Sequence, residues 1–343
     1  MRAVSLEVDL YSDTQTRPTD AMRRAIAEAV VGDEQRGEDP TTTALEDRVA
    51  ELLGMEAAVF LPSGTMCNEI AIALHVGRGE EVLLGDEAHP LFAEGGGPAA
   101  WSGAVMTVVP GDRGVFTGDA LAAAISPDSR YRARSRLVSV EQPTNIAGGR
   151  IWPLQDVRDV IGVAREHGLR THLDGARLPN AAVASGIAPA EWAEGFDTAW
   201  IDFSKGLGAP VGACLAASRG LIDEAWRYKQ MMGGALRQSG IVAAAALYAL
   251  DHHWDRLAED HANARRLAEG LAELPGVEID PAAIETNIVI WSVPDAPAFT
   301  AAMADQGVRV GVLDATRVRA VTHLDVDADG IGTALAAAAT ALT

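Results

Sequence analysis

Seven short apolar runs, separated by longer segments with helical spacing, constrain the fold of this chain more than any other feature. The runs are Ala57 to Leu61, Glu81 to Leu84, Ala104 to Val109, Leu137 to Val140, Arg170 to Leu173, Thr198 to Ile201 and Gly212 to Ala216. Helical spacing occupies Thr42 to Leu53, Cys67 to Val76, Leu121 to Ala124 and Leu154 to His167. This alternation predicts an α/β chain with a mainly parallel sheet of seven strands and helices on both faces. Ligands bind such sheets outside the carboxyl ends of the strands, so the residues that follow each run are the place to look for chemistry.

The pattern changes after a long helical stretch, Ala243 to Leu274. The later runs Asn287 to Ser292, Val308 to Val312 and Val318 to Leu324 lead into an alanine-rich terminal helix. We expect an N-terminal arm over 1–20, a large domain over 21–249 and a small C-terminal α+β domain over 250–343. There is no internal repeat; Gly95-Gly96-Gly97-Pro98 comes nearest to low complexity.

Charge narrows the partners. A formal net charge of -20 supplies no basic patch for a nucleic-acid backbone or an anionic membrane, which leaves a small-molecule substrate. Cys67 and Cys214 are too few and too far apart for a disulfide framework and read as core residues of a protein in a reducing, cytoplasmic compartment. Met1 to Asp13 lacks the apolar core of a secretion signal, and no later segment has the length and apolarity of a membrane span. The histidines are scattered, and the pair His252-His253 lacks metal-ligand spacing, so no metal is expected.

Lys205 and Lys229 are the only lysines, against a background in which arginine carries the remaining positive charge. An amine that must lose its proton cannot be replaced by a guanidinium. Lys229 lies in a charged helical segment and reads as a solvated lysine. Lys205 follows the run Thr198 to Ile201, in Ser204-Lys205-Gly206-Leu207-Gly208, while Asp174 ends the run that begins at Arg170. Both reach the same sheet edge. A carboxylate and an amine brought together there suit pyridoxal 5'-phosphate (PLP), which needs a lysine for its aldehyde and an acid beside its ring nitrogen; a buried ion pair or an Asp cap is the alternative. Pro62-Ser63-Gly64-Thr65, between a run and a helix, offers backbone N–H groups to an anion such as a phosphate.

These segments occur in an order that resembles the low-specificity L-threonine aldolases. The matching pieces are Ser12-Asp13-Thr14, Thr16-Arg17-Pro18-Thr19, Val31-Gly32-Asp33-Glu34, Gly37-Glu38-Asp39-Pro40-Thr41, Leu61-Pro62-Ser63-Gly64-Thr65 and Ala88-His89. Glu94, Gly96-Gly97, His172-Leu173-Asp174-Gly175-Ala176-Arg177, Ser204 to Gly208, Arg237-Gln238-Ser239-Gly240 and Val321-Thr322-His323-Leu324-Asp325 complete the set.

The resemblance implies a PLP-dependent fold type I enzyme that cleaves L-threonine, L-allo-threonine or a related β-hydroxy-α-amino acid to glycine and an aldehyde. A β-eliminating lyase or an aminotransferase on the same scaffold is the alternative. It further implies that Lys205 holds the cofactor, that Asp174 meets its ring nitrogen and that His89 stacks on the ring and handles a substrate proton. Gly64, Thr65 and Ser204 would hold the phosphate, and Ser12, Arg177 and Arg319 the substrate carboxylate. Arg237 resembles a residue that reaches the phosphate site of a neighbouring subunit in a homotetramer built as a dimer of dimers. Glu94 stands either behind the site or as a solvated charge. Three positions depart from the family pattern: Arg36 where a tyrosine is usual, Thr144 where Glu141-Gln142-Pro143-Thr144-Asn145 lacks the usual histidine, and Tyr131 in place of a further histidine. Arg36 and Tyr131 are therefore expected to bear on the substrate's β-substituent.

Overall fold

A computed structural model describes residues 6–343. A two-residue strand, β1 (Val8–Asp9), precedes the strands of the central sheet: β2 (Ala57–Leu61), β3 (Glu81–Gly85), β4 (Val105–Val109), β5 (Ser135–Glu141), β6 (Arg170–Gly175), β7 (Thr198–Asp202) and β8 (Ala213–Ala217). Their order across the sheet is β2-β8-β7-β6-β5-β3-β4. The pairs from β4 through β3, β5 and β6 to β7 are parallel, and β8 runs antiparallel to both β2 and β7. Every residue of β3, β7 and β8 is buried, because helices cover both faces of the sheet, and this is why these strands appear in the sequence as continuous apolar runs. The mainly parallel seven-stranded α/β sheet is the one expected.

Local signals set the helix ends that matter for the cleft. Asp39 caps the helix Pro40–Leu53 by accepting from Thr42 N–H, and Gly54, at φ 64°, ends it in the left-handed conformation that glycine tolerates. Ser63 caps the helix Gly64–His75 by accepting from Met66 N–H. The helical stretch expected over Ala243 to Leu274 is instead two helices, Gly240–His252 and Leu257–Ala272. No glycine or proline marks the break; a tertiary bond does, for His253 Nδ1 lies 2.7 Å from the Leu207 carbonyl oxygen.

A second hydrophobic cluster is built from the helices Leu257–Ala272, Ala296–Asp305 and Ala328–Ala341 with the three-stranded antiparallel sheet of β9 (Ile288–Ser292), β11 (Gly311–Val312) and β12 (Arg317–Val321). β10 (Val308–Arg309) pairs in parallel with β1, and Val8 and Leu10 are buried in this second cluster. From there the chain crosses to the large sheet, where Thr16 Oγ1 donates to the Lys205 carbonyl at 2.9 Å. The N-terminal segment thus carries Ser12 and Asp13 between the two cores.

Cys67 and Cys214 are free and buried, as expected of core residues. Among the described residues no helix is long and apolar enough to cross a membrane, and no cluster of histidine, cysteine and carboxylate side chains has the form of a metal site.

Lys229 corrects the expectation of a solvated lysine. Its side chain is fully buried, its ammonium pairs with Glu34 Oε1, and it lies 4.1 Å from the centroid of the Trp226 ring. The helix Arg219–Met231 turns this one position inward among charged neighbours, which composition cannot reveal. Glu46 lies in the same region, and burial pushes its carboxyl up to about 7. Lys229→Met keeps much of the stem but leaves Glu34 as a buried charge without its cation. We expect it to cost about 3–5 kcal/mol of unfolding free energy in urea titrations at neutral pH.

Candidate active site

The carboxyl ends of β5, β6 and β7 open onto a cavity of about 310 Å³. Of the residues singled out from the sequence, Ser12, Gly64, Thr65, His89, Asp174, Arg177, Ser204, Lys205 and Arg319 line it together. Sequence reasoning missed Asp202, Trp200, Glu141 and Asn145, which also line it, and Asp13 and Asn68, which stand behind it. A signal existed for Asp202: it ends a strand three residues before Lys205, the position for a carboxylate that folds back on the following turn.

Lys205 Nζ lies 2.9 Å from Asp202 Oδ2, and the backbone N–H and hydroxyl of Ser204 both donate to Asp202 Oδ1 at 2.7 Å. The lysine is thereby held over the helix Gly64–His75. A Cβ built on Gly64 would lie 2.3 Å from Trp200 Cη2 and 3.0 Å from Asp202 Oδ2, so only glycine lets this helix start so close to the lysine. The N–H groups of Gly64 and Thr65 are the first two of the helix and have no intrahelical acceptor. They face the cavity beside Thr65 and Ser204, and with the Thr65 hydroxyl they form a donor set that fits a phosphate. With a lysine amine and a buried aspartate in the same cavity, the residues fit PLP.

Asn68 organises the opposite wall. Its oxygen accepts from Trp200 Nε1 at 2.8 Å, and indole nitrogen only donates, so the amide orientation is determined. The Asn68 NH2 group then donates to Asp174 Oδ2 at 2.8 Å and to Glu94 Oε1 at 2.7 Å. His172 Nε2 lies 3.0 Å from the same amide oxygen and donates to it, which fixes His172 as a neutral tautomer; burial pushes its pKa down to about 3. Asp174 Oδ1 accepts from Ala176 N–H at 3.1 Å. Burial raises the Asp174 carboxyl above the ordinary range, opposed by His89 and by the Asn68 bond. A cation arriving at the ring-nitrogen position would remove that penalty. Glu94 is no solvated charge: its side chain is fully buried and its Oε1 lies 2.7 Å from His89 Nδ1.

The two cleft arginines differ. Arg177 forms a buried, two-pronged ion pair with Asp13, Nε to Oδ2 at 2.8 Å and Nη2 to Oδ1 at 2.7 Å. Although burial opposes it, Arg177 holds the Asp13 carboxyl well below the usual range. Arg319 has only a neutral partner, Asn145 Oδ1 at 3.0 Å, and no carboxylate within ion-pair distance among the described residues. Burial and the neighbouring Arg177 lower its pKa. A half-buried guanidinium repelled by a second one, with N–H groups to spare, could take an incoming carboxylate.

Three expected residues lie outside this cavity in the protomer. Arg36 has a side chain 71% exposed and pairs with Glu38 at 3.1 Å. Arg237 has a side chain 63% exposed and pairs with Asp33 at 3.1 Å. Tyr131 is 87% exposed and precedes the entry end of β5, whereas the cavity lies at its exit end; seven residues of strand separate the two by about 20 Å. The expected bearing of Arg36 and Tyr131 on the substrate is therefore not met by contact within one chain. Thr144 is buried and occupied with Arg150, whose N–H donates to its Oγ1 at 3.1 Å; its neighbour Asn145 lines the cleft instead.

The close approach at Gly64 can be tested directly. Gly64→Ala forces the helix away from Trp200, and we expect PLP binding, followed by visible absorbance, to weaken by about tenfold or more.

Comparison with known proteins bears on the family and the fold. The family described as beta-eliminating lyase matches residues 9–294. The low-specificity L-threonine aldolase 1 of Arabidopsis thaliana is 38% identical over 329 residues, covering 93% of this chain and 92% of that protein. The low specificity L-threonine aldolase of Escherichia coli is 41% identical over 321 residues, covering 93% of this chain and 94% of that protein. A solved structure of Leishmania major threonine aldolase superposes with a TM-score of 0.82 at 19% identity, covering 96% of this chain and 98% of that one, which speaks for the fold.

Proposed function

The chain belongs to the beta-eliminating lyase family and, within it, to the low-specificity L-threonine aldolases, and on that premise we propose that it is a PLP-dependent carbon-carbon lyase. It cleaves L-threonine, L-allo-threonine or a related β-hydroxy-α-amino acid to glycine and an aldehyde. The observation that carries this reading is one cleft holding the Lys205 amine, the buried Asp174 carboxylate and the uncompensated Arg319. PLP supplies an electrophilic aldehyde and a ring that takes up the electron pair left at the α-carbon.

Lys205 tethers the cofactor, Asp174 sets its carboxylate against the ring nitrogen, and Gly64, Thr65 and Ser204 receive the phosphate. Arg319, with the remaining N–H groups of Arg177 and with Ser12, holds the substrate carboxylate. His89 presents a flat face for the ring. Because Glu94 accepts from its Nδ1–H, its Nε2 carries a lone pair able to take the β-hydroxyl proton. As that O–H bond breaks, the oxygen becomes the aldehyde carbonyl and the Cα–Cβ bond parts. Protonation at Cα then completes glycine. With threonine at position 144, His89 is the only imidazole lining the cavity among the described residues.

The same groups would support β-elimination, the chemistry in the family's description, and amino transfer. We further propose a homotetramer assembled as a dimer of dimers in which Arg237 serves the phosphate of a neighbouring protomer. Supporting this, Arg237 is exposed in its own chain, and among the described residues Arg177 and Arg319 are the only arginines lining the cavity. The division into a large domain over 21–249 and a small one over 250–343 is likewise our reading, supported by the two core clusters. The two unpaired, buried thiols suit a cytoplasmic setting.

Lys205→Ala should bring glycine and aldehyde release from L-threonine, L-allo-threonine and phenylserine to background; wild-type turnover in that variant refutes the assignment. Pyruvate and ammonia from the wild type, in place of glycine, identify the eliminating reaction. Arg36→Tyr, compared on threonine and hydroxyaspartate, tests whether a partner's Arg36 favours an acidic β-substituent. A fall of about tenfold in relative hydroxyaspartate cleavage is expected, and unchanged selectivity removes the idea.

A further inference from the structure

Two buried carboxyl groups behind His89 have no role in the reaction as described. Glu69, on the helix Gly64–His75, is 3% exposed, and Glu94 is 7% exposed. Neither oxygen of Glu69 and not Oε2 of Glu94 has a hydrogen-bond donor among the described residues. The Glu69 carboxyl lies against Gly97, three residues along the loop from Glu94, and the Glu94 charge beside it raises its pKa after burial has done so. Two buried carboxylates in that position repel each other and strand three acceptor atoms, whereas a single proton between them satisfies the contact. The donors already present say which group carries it. Glu94 Oε1 accepts from Asn68 Nδ2 and from His89 Nδ1, both at 2.7 Å, which stabilises its charge. Glu69 receives nothing of the kind, so the proton belongs to Glu69.

The glycine run absorbs its meaning here. A Cβ on Gly97 would lie 1.9 Å from Glu69 Oε1 and 2.8 Å from its Oε2, so the loop closes over the Glu69 carboxyl only because position 97 has no side chain.

We propose that Glu69 is a positioning residue for proton transfer by His89: as a neutral acid it donates to Glu94 Oε2, keeping Glu94 a single, correctly aimed carboxylate for His89 Nδ1 and Asn68. This rests on the reading of His89 as the group that takes the β-hydroxyl proton. The titratable groups around the pair are few: Glu94 and His89 from the loop, and Asp174 and His172 from β6, which are joined to Glu94 through Asn68. The segment Pro98–Ser102, which packs on the same helix, contributes no charge. Burial, and then Glu94, push the Glu69 carboxyl up to about 8. The sign follows: the neutral form is present below that value and lost as pH rises through it. The charged Glu69 then repels Glu94 and no longer donates to its Oε2, so the carboxylate that receives His89 Nδ1–H loses its aim.

The experiment uses PLP-loaded wild type, Glu69→Gln and Glu69→Leu. Threonine cleavage is followed as kcat/KM from about pH 6 to about pH 10, and infrared difference spectra of wild type against Glu69→Gln are recorded with and without cofactor. The wild type should lose activity above about pH 8, in step with loss of a protonated-carboxyl band that Glu69→Gln lacks. The amide of Glu69→Gln donates without ionising, so its activity should stay within about tenfold of the wild-type plateau and show no alkaline fall, while Glu69→Leu should drop about 100-fold at every pH. An unchanged alkaline limb in Glu69→Gln, or no such band in the wild type at acid pH, overturns the proposal. If no protein cleaves threonine, the aldolase reading fails by itself, and the infrared titration of the wild type still decides the shared proton.

Discussion

Four hydrogen bonds converge on the side-chain amide of Asn68, and the cleft is built around them. Its oxygen serves Trp200 and His172, and its nitrogen serves Asp174 and Glu94. An amide buried at 1% exposure with all four positions filled has no alternative rotamer or flip that does not strand a partner. It therefore sets the distance between the Asp174 carboxylate and the Glu94 carboxylate that pairs with His89. Trp200, held by the same amide, in turn limits how close the helix beginning at Gly64 can come, and that limit fixes the anion site.

The other wall depends on an ion pair that joins the two cores. Asp13 arrives on the segment anchored by β1 to the C-terminal strands, and Arg177 follows β6 of the central sheet. Their pairing neutralises one of two neighbouring guanidinium groups and leaves Arg319, on β12, as the unbalanced charge. A half-buried charge repelled by a second guanidinium is costly to leave uncompensated, and an incoming carboxylate would offset that cost. Function and inter-core geometry are thus the same arrangement viewed from two sides.

Much of this was legible in the sequence. Period and run length locate all seven strands of the central sheet, and the carboxyl-edge rule brings Asp174 and Lys205 together from the sequence alone. The motif order supplied His89, Arg177 and Arg319. What escaped was of one kind. Asn68 sits mid-helix and looks like any polar residue of an amphipathic segment. Glu69 looks like solvent-facing charge, and Lys229 looked so too; all three are buried. Arg36 and Tyr131, read as near the substrate, are exposed within one chain, since alignment with a functional segment does not fix which way a side chain points.

The sequence by itself determined the sheet, the edge at which chemistry is gathered and the identity of the amine and acid that meet there. These follow from local periodicity and from the rule that parallel strands end on a common side. Only the tertiary structure decided the partners: which carboxylates face Asn68, which arginine is neutralised, and which acids are buried without a donor. Those outcomes depend on side chains far apart in the chain being excluded from water together. Burial turns an ordinary aspartate, glutamate or lysine into a group that must find a specific counterpart, and no local pattern records it.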